Sequence, residues 1–446
     1  MSNNTIFSDS NKGQMKTNVV ILKAIVTKIT FALAVLMLLA SCGDNSNAPD
    51  GGGLANSLSV SDNTLSNRPV ESEATDEPDV TNEPEVTAPI NISVEPYLNT
   101  IAAGYERSFA IRADGSLWAW GDNSRGQLGD GTDINKSEPC HIMDDVASVT
   151  ACKQHTLAIK TDGSLWAWGN NTIGQLGNGT GGDRDDYIPD PVKIMDDVAA
   201  AAGGSSHSLA LKTDGSLWAW GSNRYKQLGD DSINGYTTTP VKIMYGVIAI
   251  AAGGNHSFAI KADGSLWAWG TSDYGEIGSG NQTNYTEEIA IPEKIMDNVA
   301  SVSTSEFHTL ILTTDGRVVA CGNNSYGKVG DTEENFVHIP INIEIDNVAA
   351  VYTGYDFSVA LKADGSVWFW GLADIYNQFG AGFKDQSKIP VLSMEGAVDI
   401  AAGNSHTLAL QADGSLLAWG KNIWGPPAGN PKGYGPTQVM DDVKLP

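Results

Sequence analysis

The stretch Ala201-Ala-Gly-Gly-Ser-Ser-His-Ser-Leu-Ala-Leu-Lys-Thr-Asp-Gly-Ser-Leu-Trp-Ala-Trp-Gly221 decides the fold. It reads as two short strands on either side of an Asp-Gly pair suited to a two-residue type I′ turn. The pair recurs at 114, 162, 214, 263, 315, 364 and 413, every 48 to 52 residues, and the hairpin recurs with it. A type I′ turn sets Leu211 opposite Trp218 and Leu209 opposite Trp220, with Ala210 and Ala219 on the other face. A sheet with one bulky side and one small side stacks on copies of itself, each Trp pair filling the space left by a neighbour's alanines. Seven such copies predict an all-β, seven-bladed β-propeller over residues 97–446.

A Gly-rich turn follows each hairpin: Gly126-Gln-Leu-Gly129, Gly174-Gln-Leu-Gly177, Lys226-Gln-Leu-Gly229, Gly275-Glu-Ile-Gly278, Gly327-Lys-Val-Gly330 and Asn377-Gln-Phe-Gly380. Its glycines supply positive φ and its apolar residue turns inward. Then comes a loop of variable length and a proline, at 139, 191, 240, 292, 340, 390 and 436, expected to open the next strand. Length varies only in that loop, where specificity usually lies. Eleven of the twelve tryptophans occupy hairpin positions, so they read as blade packing and not as a sugar platform.

Gly-Gly-x-x-His-Ser-x-Ala, Asp-Gly and Trp-Gly-x-Asn-x-x-Gly-Gln-Leu-Gly together resemble the regulator of chromosome condensation repeat, over about residues 99–443 and in all seven copies. The resemblance implies a seven-bladed propeller. Repeat five departs from it, with Ser305 in a glycine position and Val319 and Cys321 in place of both tryptophans. Repeat seven has Leu417 for the first Trp and Trp424-Gly-Pro-Pro-Ala-Gly429 for the Gln-Leu turn. The closing segment Pro436–Val443 is expected to pair with the first blade and seal the ring, which removes exposed sheet edges.

The amino terminus reads as an address. Lys12, Lys16, Lys23 and Lys28 precede the apolar run Ile29–Ala40, too short for the roughly 20 residues of a spanning helix, and Ser41-Cys42-Gly43 follows. Met15 is a candidate alternative start. Leu39-Ala40-Ser41-Cys42 resembles the bacterial lipobox, which implies acylation of the Cys42 thiol and cleavage just before it. Residues 1–41 are then a lipoprotein signal peptide. Residues 42–96 are a lipidated Cys and an acidic tether, since eleven carboxylates against one Arg cannot bury enough surface to offset ordering entropy. The reading places the chain at a bacterial cell surface or in the periplasm, held to the membrane through the lipid alone.

The net charge is −26. That balance disfavours nucleic acid and suits basic protein partners. The four cysteines form no legible disulfide framework, although an extracellular chain leaves a Cys140–Cys152 bridge open. His155, His207, His256, His308 and His406 each stand seven residues before an Asp, while Arg107 and Phe357 fill the same slot in repeats one and six. Catalysis needs one asymmetric constellation and not five copies of a dipeptide, so these read as structural. Asp130, Asp133, Asp183, Asp185 and Asp186 lack the spacing of a calcium loop and read as solvated. No metal or cofactor motif appears.

Four residues after each Trp-x-Trp-Gly stand Arg125, Ile173, Tyr225, Tyr274, Tyr326, Ile375 and Trp424. Arg125, Tyr225, Tyr274, Tyr326 and Trp424 are types favoured at binding hot spots. They are candidates for a partner-binding annulus, with covering of the blade seam as the alternative role. The chain thus reads as a monomeric binder of a protein partner, with no catalysis of its own. Within the resembled family, a secreted propeller that inhibits β-lactamase makes a cell-wall or secreted enzyme a reasonable partner. Alternative readings are an enzyme acting on cell-wall polysaccharide and, against the signal peptide, guanine-nucleotide exchange on a small GTPase.

Overall fold

The computed structural model describes residues 98–280, 288–373, 379, 385–421 and 435–446. The expected signal peptide and tether, including Cys42, lie outside these residues, as do Ile375 and Trp424. Seven four-stranded antiparallel sheets follow one another along the chain, each made of four consecutive strands. The chain is an all-β, seven-bladed β-propeller. The third blade is representative, with strands Val198–Gly203, His207–Lys212, Leu217–Ser222 and Tyr236–Met244 running from the central channel to the rim.

The hairpin register differs by one residue from the type I′ expectation. Leu211 pairs with Leu217, Ala210 with Trp218, Leu209 with Ala219 and Ser208 with Trp220. The loop has three residues, Thr213-Asp214-Gly215. Gly215 N–H donates to the Lys212 carbonyl at 3.0 Å and Lys212 N–H to the Ser216 carbonyl at 2.9 Å. With Gly215 at φ 77°, this is a type I turn closed by a glycine bulge. The side chains explain the choice. Asp214 Oδ1 accepts from both the backbone N–H (2.9 Å) and the hydroxyl (2.6 Å) of Ser216, whose Oγ accepts from Trp218 Nε1 at 3.0 Å. The Asp–Ser–Trp relay holds Ser216 out of the turn and recurs in blades one, two, four and six.

Both tryptophans therefore share a face with Ser208 and Ala210, while Leu209, Leu211, Leu217 and Ala219 share the opposite one. The tryptophan face of each blade packs on the leucine face of the preceding blade. Trp220 and Ala210 sit in one cluster with Leu157, Leu165, Ala167 and Leu176 of blade two. Trp120 and Ala110 of blade one join Leu408, Leu410, Leu416 and Ala418 of blade seven, which closes the circle. The alanine partner expected for the tryptophans is present, but on the leucine face of the preceding blade, except at Trp419, which meets Phe369 of blade six instead. The second Trp of each pair is fully buried, and the first is half-buried with a Lys or Arg over its ring, as in Lys261 over Trp267 at 4.0 Å.

The prolines at 139, 191, 240, 292, 340 and 390 lie inside the fourth strand instead of opening it. That strand is the outer edge of its blade, where a missing N–H breaks no ladder, and the pairing shifts register at the site, between Ala219 and Gly221 in blade three. The link into the next blade needs one left-handed residue. Only Asp, Asn or Gly stands there: Asp145, Asp197, Gly246, Asn298, Asn347, Gly396 and Asp442, all at positive φ.

The carboxyl terminus does pair with the first blade, through three residues. The strand Thr437–Met440 belongs to blade seven. Beyond it, Val443 bridges Arg112, Ala113 N–H donates to the Asp442 carbonyl (2.9 Å), and Lys444 N–H donates to the Ile111 carbonyl (2.8 Å). Val443 occupies the place that Val146 and Val198 hold in blades two and three, so the innermost strand of blade one is built from both ends of the propeller.

Candidate binding face at the channel mouth

Alternation of strand direction sends the Asp-Gly turns and the interblade links to one end of the ring. The turns between first and second strands and the long loops between third and fourth strands go to the other. This loop end carries the candidate residues Arg125, Tyr225, Tyr274 and Tyr326.

Beneath it the histidines join the blades. Nε2 of His155 lies 2.8 Å from Ser208 Oγ, His207 2.9 Å from Ser257, His308 2.9 Å from Ser358, His406 3.0 Å from Ser108, and His256 2.6 Å from Thr304 Oγ1. Ser208 Oγ in turn donates to the Gln175 carbonyl at 2.7 Å, so His155 Nε2 carries the proton. Burial pushes His155, His207 and His256 down to about 3 and His406 to about 4, and holds His308 well below its usual value. Neutral and satisfied through Nε2, these rings are interblade clasps. They also account for the preceding glycines: a Cβ on Gly204 would stand 2.4 Å from the ring of His207. At the departures, Arg107 reaches the carbonyls of Cys152, Lys153 and His155 in blade two, and Phe357 stacks on Phe369.

The Gly-rich turns form a second clasp. The Gln127 carbonyl accepts from Thr156 Oγ1 (2.8 Å) and Trp168 Nε1 (3.0 Å) of the next blade, and Gln175 and Gln227 repeat the arrangement. Where Cys321 replaces Trp, its Sγ takes the indole's place at 3.5 Å from the Glu276 carbonyl. Cys140, Cys152 and Cys321 are all free, so the open Cys140–Cys152 bridge is not formed. Glu276 is buried where four other repeats have Gln, and burial pushes its carboxyl up to about 8.

The candidate residues lie over the blade seams. Arg125 of blade one pairs with Asp185 of blade two at 3.3 Å, and Tyr274 of blade four packs on Phe307 and Phe336 of blade five, with ring centroids 5.6 and 5.4 Å apart. Tyr225 and Tyr326 are exposed, and Tyr326 holds a φ of 67°. Ile173 is half-buried. Asp130 is tied to Lys136, Asn123 and Thr132, and among the described residues no cluster of acidic, His or Cys side chains is arranged to hold a metal.

The structure adds residues the repeat pattern did not single out. Around the channel mouth, a cavity of about 170 Å³ walled by Ala103, Ala151, Ala252, Thr304, Thr353 and Ala402, the first turns of blades one, five and six carry aromatic rings. Tyr105 meets Tyr355 (6.1 Å) and Tyr355 meets Phe307 (5.1 Å), so with Tyr274 and Phe336 an unbroken aromatic track runs from the channel to the rim. Its ends are the most open, with Tyr105 39% and Phe336 36% exposed. Two amines lie against it. Lys153 of blade two crosses the mouth to Glu306 of blade five, and Lys328, 1% exposed in its side chain, binds Asp356 at 2.6 Å beneath Phe307.

Comparison with known sequences agrees with this architecture. The family model described as RCC1-like domain matches residues 144–439, and models of the regulator of chromosome condensation repeat match 114–159 and 99–127. The chain belongs to the RCC1-like family. Among relatives of this RCC1-like propeller, human Protein RCC2 is 27% identical over 276 residues, 59% of this chain and 48% of RCC2. The human E3 ubiquitin-protein ligase HERC2 is 30% identical over 320 residues, 69% of this chain and 6% of HERC2. The chain thus spans about half the length of RCC2 and a small part of HERC2. Prp20p of Saccharomyces cerevisiae, 24% identical, superposes with a TM-score of 0.62 over 69% of this chain and 81% of its own. Human WBSCR16 is 22% identical, with a TM-score of 0.62 over 74% and 87%.

Proposed function

We propose that this chain is a lipid-anchored, extracellular RCC1-like propeller that binds a protein partner through its loop end and performs no catalysis of its own. The observation that carries the reading is the aromatic track with its interleaved charges at the channel mouth. The turn that bears it has the same backbone in every blade: the N–H at its start donates to the carbonyl of the His-slot residue at 2.9 to 3.1 Å, from Gly104 to Arg107 in blade one and Gly204 to His207 in blade three. Ser205-Ser206 and Gly254-Asn255 satisfy it as well as Tyr105-Glu106. The conformation of the turn does not call for the rings, and half-exposed aromatics grouped on one face are what binding sites use. RCC1-like propellers are protein-binding scaffolds, and yeast Prp20 has been solved bound to Kap60.

The anchor rests on the lipobox at Cys42 and the acidic segment behind it. A surface or secreted cell-wall enzyme is the partner class that suits that compartment. The test is crosslinked capture with the mature chain as bait, comparing wild type with a Tyr105→Ala variant at the exposed end of the track. Saturable capture of one protein, lost in the variant while the unfolding temperature holds, is expected. Turnover of a cell-wall glycan by the purified chain would overturn the binder reading, and undiminished membrane retention of Cys42→Ser would overturn the anchor.

A further inference from the structure

The turns at the channel mouth differ from one another in a chemically coherent way. Three of them pair an aromatic ring with a carboxylate, as Tyr105-Glu106, Glu306-Phe307 and Tyr355-Asp356, and these are the three whose rings touch. The negative face of an aromatic ring beside a carboxylate is a site for an ammonium or guanidinium group. The protein already sets an amine of its own against each of the three carboxylates, Lys421 lying 3.8 Å from Glu106. Lys328 Nζ lies 2.6 Å from Asp356 and 5.5 Å from the Phe307 ring, as a buried, permanent part of the blade.

The amine on Glu306 is differently held. Lys153 Nζ lies 3.0 and 3.1 Å from the two oxygens of Glu306 and 5.7 Å from the Tyr105 ring, but the pair is 36% and 29% exposed and spans the opening from blade two to blade five. Ion pairs this open to water contribute little, because solvent screens them and two long side chains must be held in place. Lys153 is therefore a weakly held occupant of a cation site that faces solvent. The surrounding charge favours replacement by an external cation, since the chain carries −26 overall.

We propose that the site formed by Tyr105, Glu306 and Tyr355 receives a lysine or arginine side chain of the partner, with Lys153 as the intramolecular placeholder that this side chain displaces. This rests on the protein-binding reading above and names the chemistry that the partner brings to the channel mouth.

The test titrates the mature chain with hexalysine and hexaglutamate peptides by calorimetry at fixed ionic strength. Hexalysine is expected to bind and hexaglutamate not to. Lys153→Met should tighten hexalysine binding several-fold, because the competing amine is gone, whereas Glu306→Gln and Tyr105→Ala should each weaken it about tenfold or more. Asp197→Asn, at the opposite end of the ring where Asn298 and Asn347 are natural, should leave it within twofold. Equal losses in Asp197→Asn and Glu306→Gln would reduce the effect to diffuse acidity and overturn the site. So would weaker binding by Lys153→Met with an unchanged unfolding temperature. A captured partner that binds Glu306→Gln and Lys153→Met as it binds wild type would overturn the cation site while the protein-binding reading stands. The full hexalysine pattern without any saturable protein partner would support the site and refute that reading.

Discussion

Nε2 of His155 lies 2.8 Å from Oγ of Ser208, one blade further on, and His207, His308 and His406 repeat that bond around the ring. The clasp exists only with neutral imidazole, because burial holds the folded-state values far below the ordinary value of 6.5. The unfolded chain therefore binds more protons between pH 6.5 and about 3. Stability from the histidines is fully present above pH 6.5 and is lost as pH falls through that window. Denaturant titrations at pH 7, 5.5 and 4.5 should show a steep, cooperative decline. His207→Gln should lower stability at pH 7 by about 1–3 kcal/mol, the cost of a disturbed buried hydrogen bond, and make the acid decline shallower by one proton.

Glu276 titrates in the opposite sense. Its folded value is raised to about 8 by burial, so its contribution is fully present below the unfolded carboxylate value near 4.5 and is lost as pH rises through 8. Glu276→Gln restores the residue of blades one to three, whose side-chain oxygen accepts the backbone N–H two residues earlier as Glu276 itself does for Tyr274 at 2.8 Å. The variant should be more stable than wild type at pH 8 to 9 and nearly equal at pH 4.5. Equal stability at both ends would mean that the carboxylate is hydrated when charged.

The two tryptophans of a hairpin should separate cleanly. Trp220 is fully buried between blades two and three and donates to the Gln175 carbonyl at 2.9 Å, so Trp220→Ala should cost about 3–5 kcal/mol. Trp218 is half-buried and bonds within its own turn, so Trp218→Ala should cost about 1–2 kcal/mol. Urea unfolding of both variants, with matched slopes, checks the ratio. Val319 and Cys321 already stand in these positions in blade five, where Pro340 and Cys321 together abut Gly278 in the place the indole takes in other blades.

The period, the number of blades and the packing role of the tryptophans were legible, because they recur from blade to blade and reflect one packing rule. The register was not. Asp214-Gly215 is the signature of a two-residue turn, but the loop takes a third residue and closes with a glycine bulge, which moves Trp218 from Leu211 to Ala210. The channel mouth was illegible for a different reason. Tyr105, Phe307 and Tyr355 lie up to 250 residues apart in slots that carry no repeat signal, and closure of the ring brings them together. The available clue was the contrast within one column, Tyr105-Glu106 and Tyr355-Asp356 against Ser205-Ser206.

The aromatic turn positions should likewise divide by what they touch. Tyr274 is wedged between Phe307 and Phe336 of the next blade, and each such ring pair adds about 0.5–1.5 kcal/mol beyond its area. Tyr274→Ala should therefore lower thermal stability measurably. Tyr225 is exposed, with Arg224 at 5.7 Å from its ring. Tyr225→Ala should leave the unfolding temperature within about a degree. A partner that loses affinity with Tyr225→Ala has its footprint over the third blade, and one that does not is confined to the mouth.

Ring closure makes the last residues of the chain structural. Val443 is 2% exposed in the core shared by blades one and seven, and its N–H donates to the Gly414 carbonyl at 2.9 Å while Asp442 and Lys444 bond to blade one. A buried Val is worth roughly 1.5–3 kcal/mol and each net hydrogen bond about 0.5–1.5. Truncation after Met440 removes all of these and leaves the innermost strand of blade one short. It should lower stability by about 3 kcal/mol or more. Because blades one and seven then lose their seam while the other interfaces remain, unfolding should also become less cooperative, with a smaller urea slope in a first transition. Val443→Ala, which keeps the backbone bonds, should show only a modest loss with an unchanged slope. A truncated chain as stable as the intact one would mean that the tryptophan and histidine contacts close the ring without the composite strand.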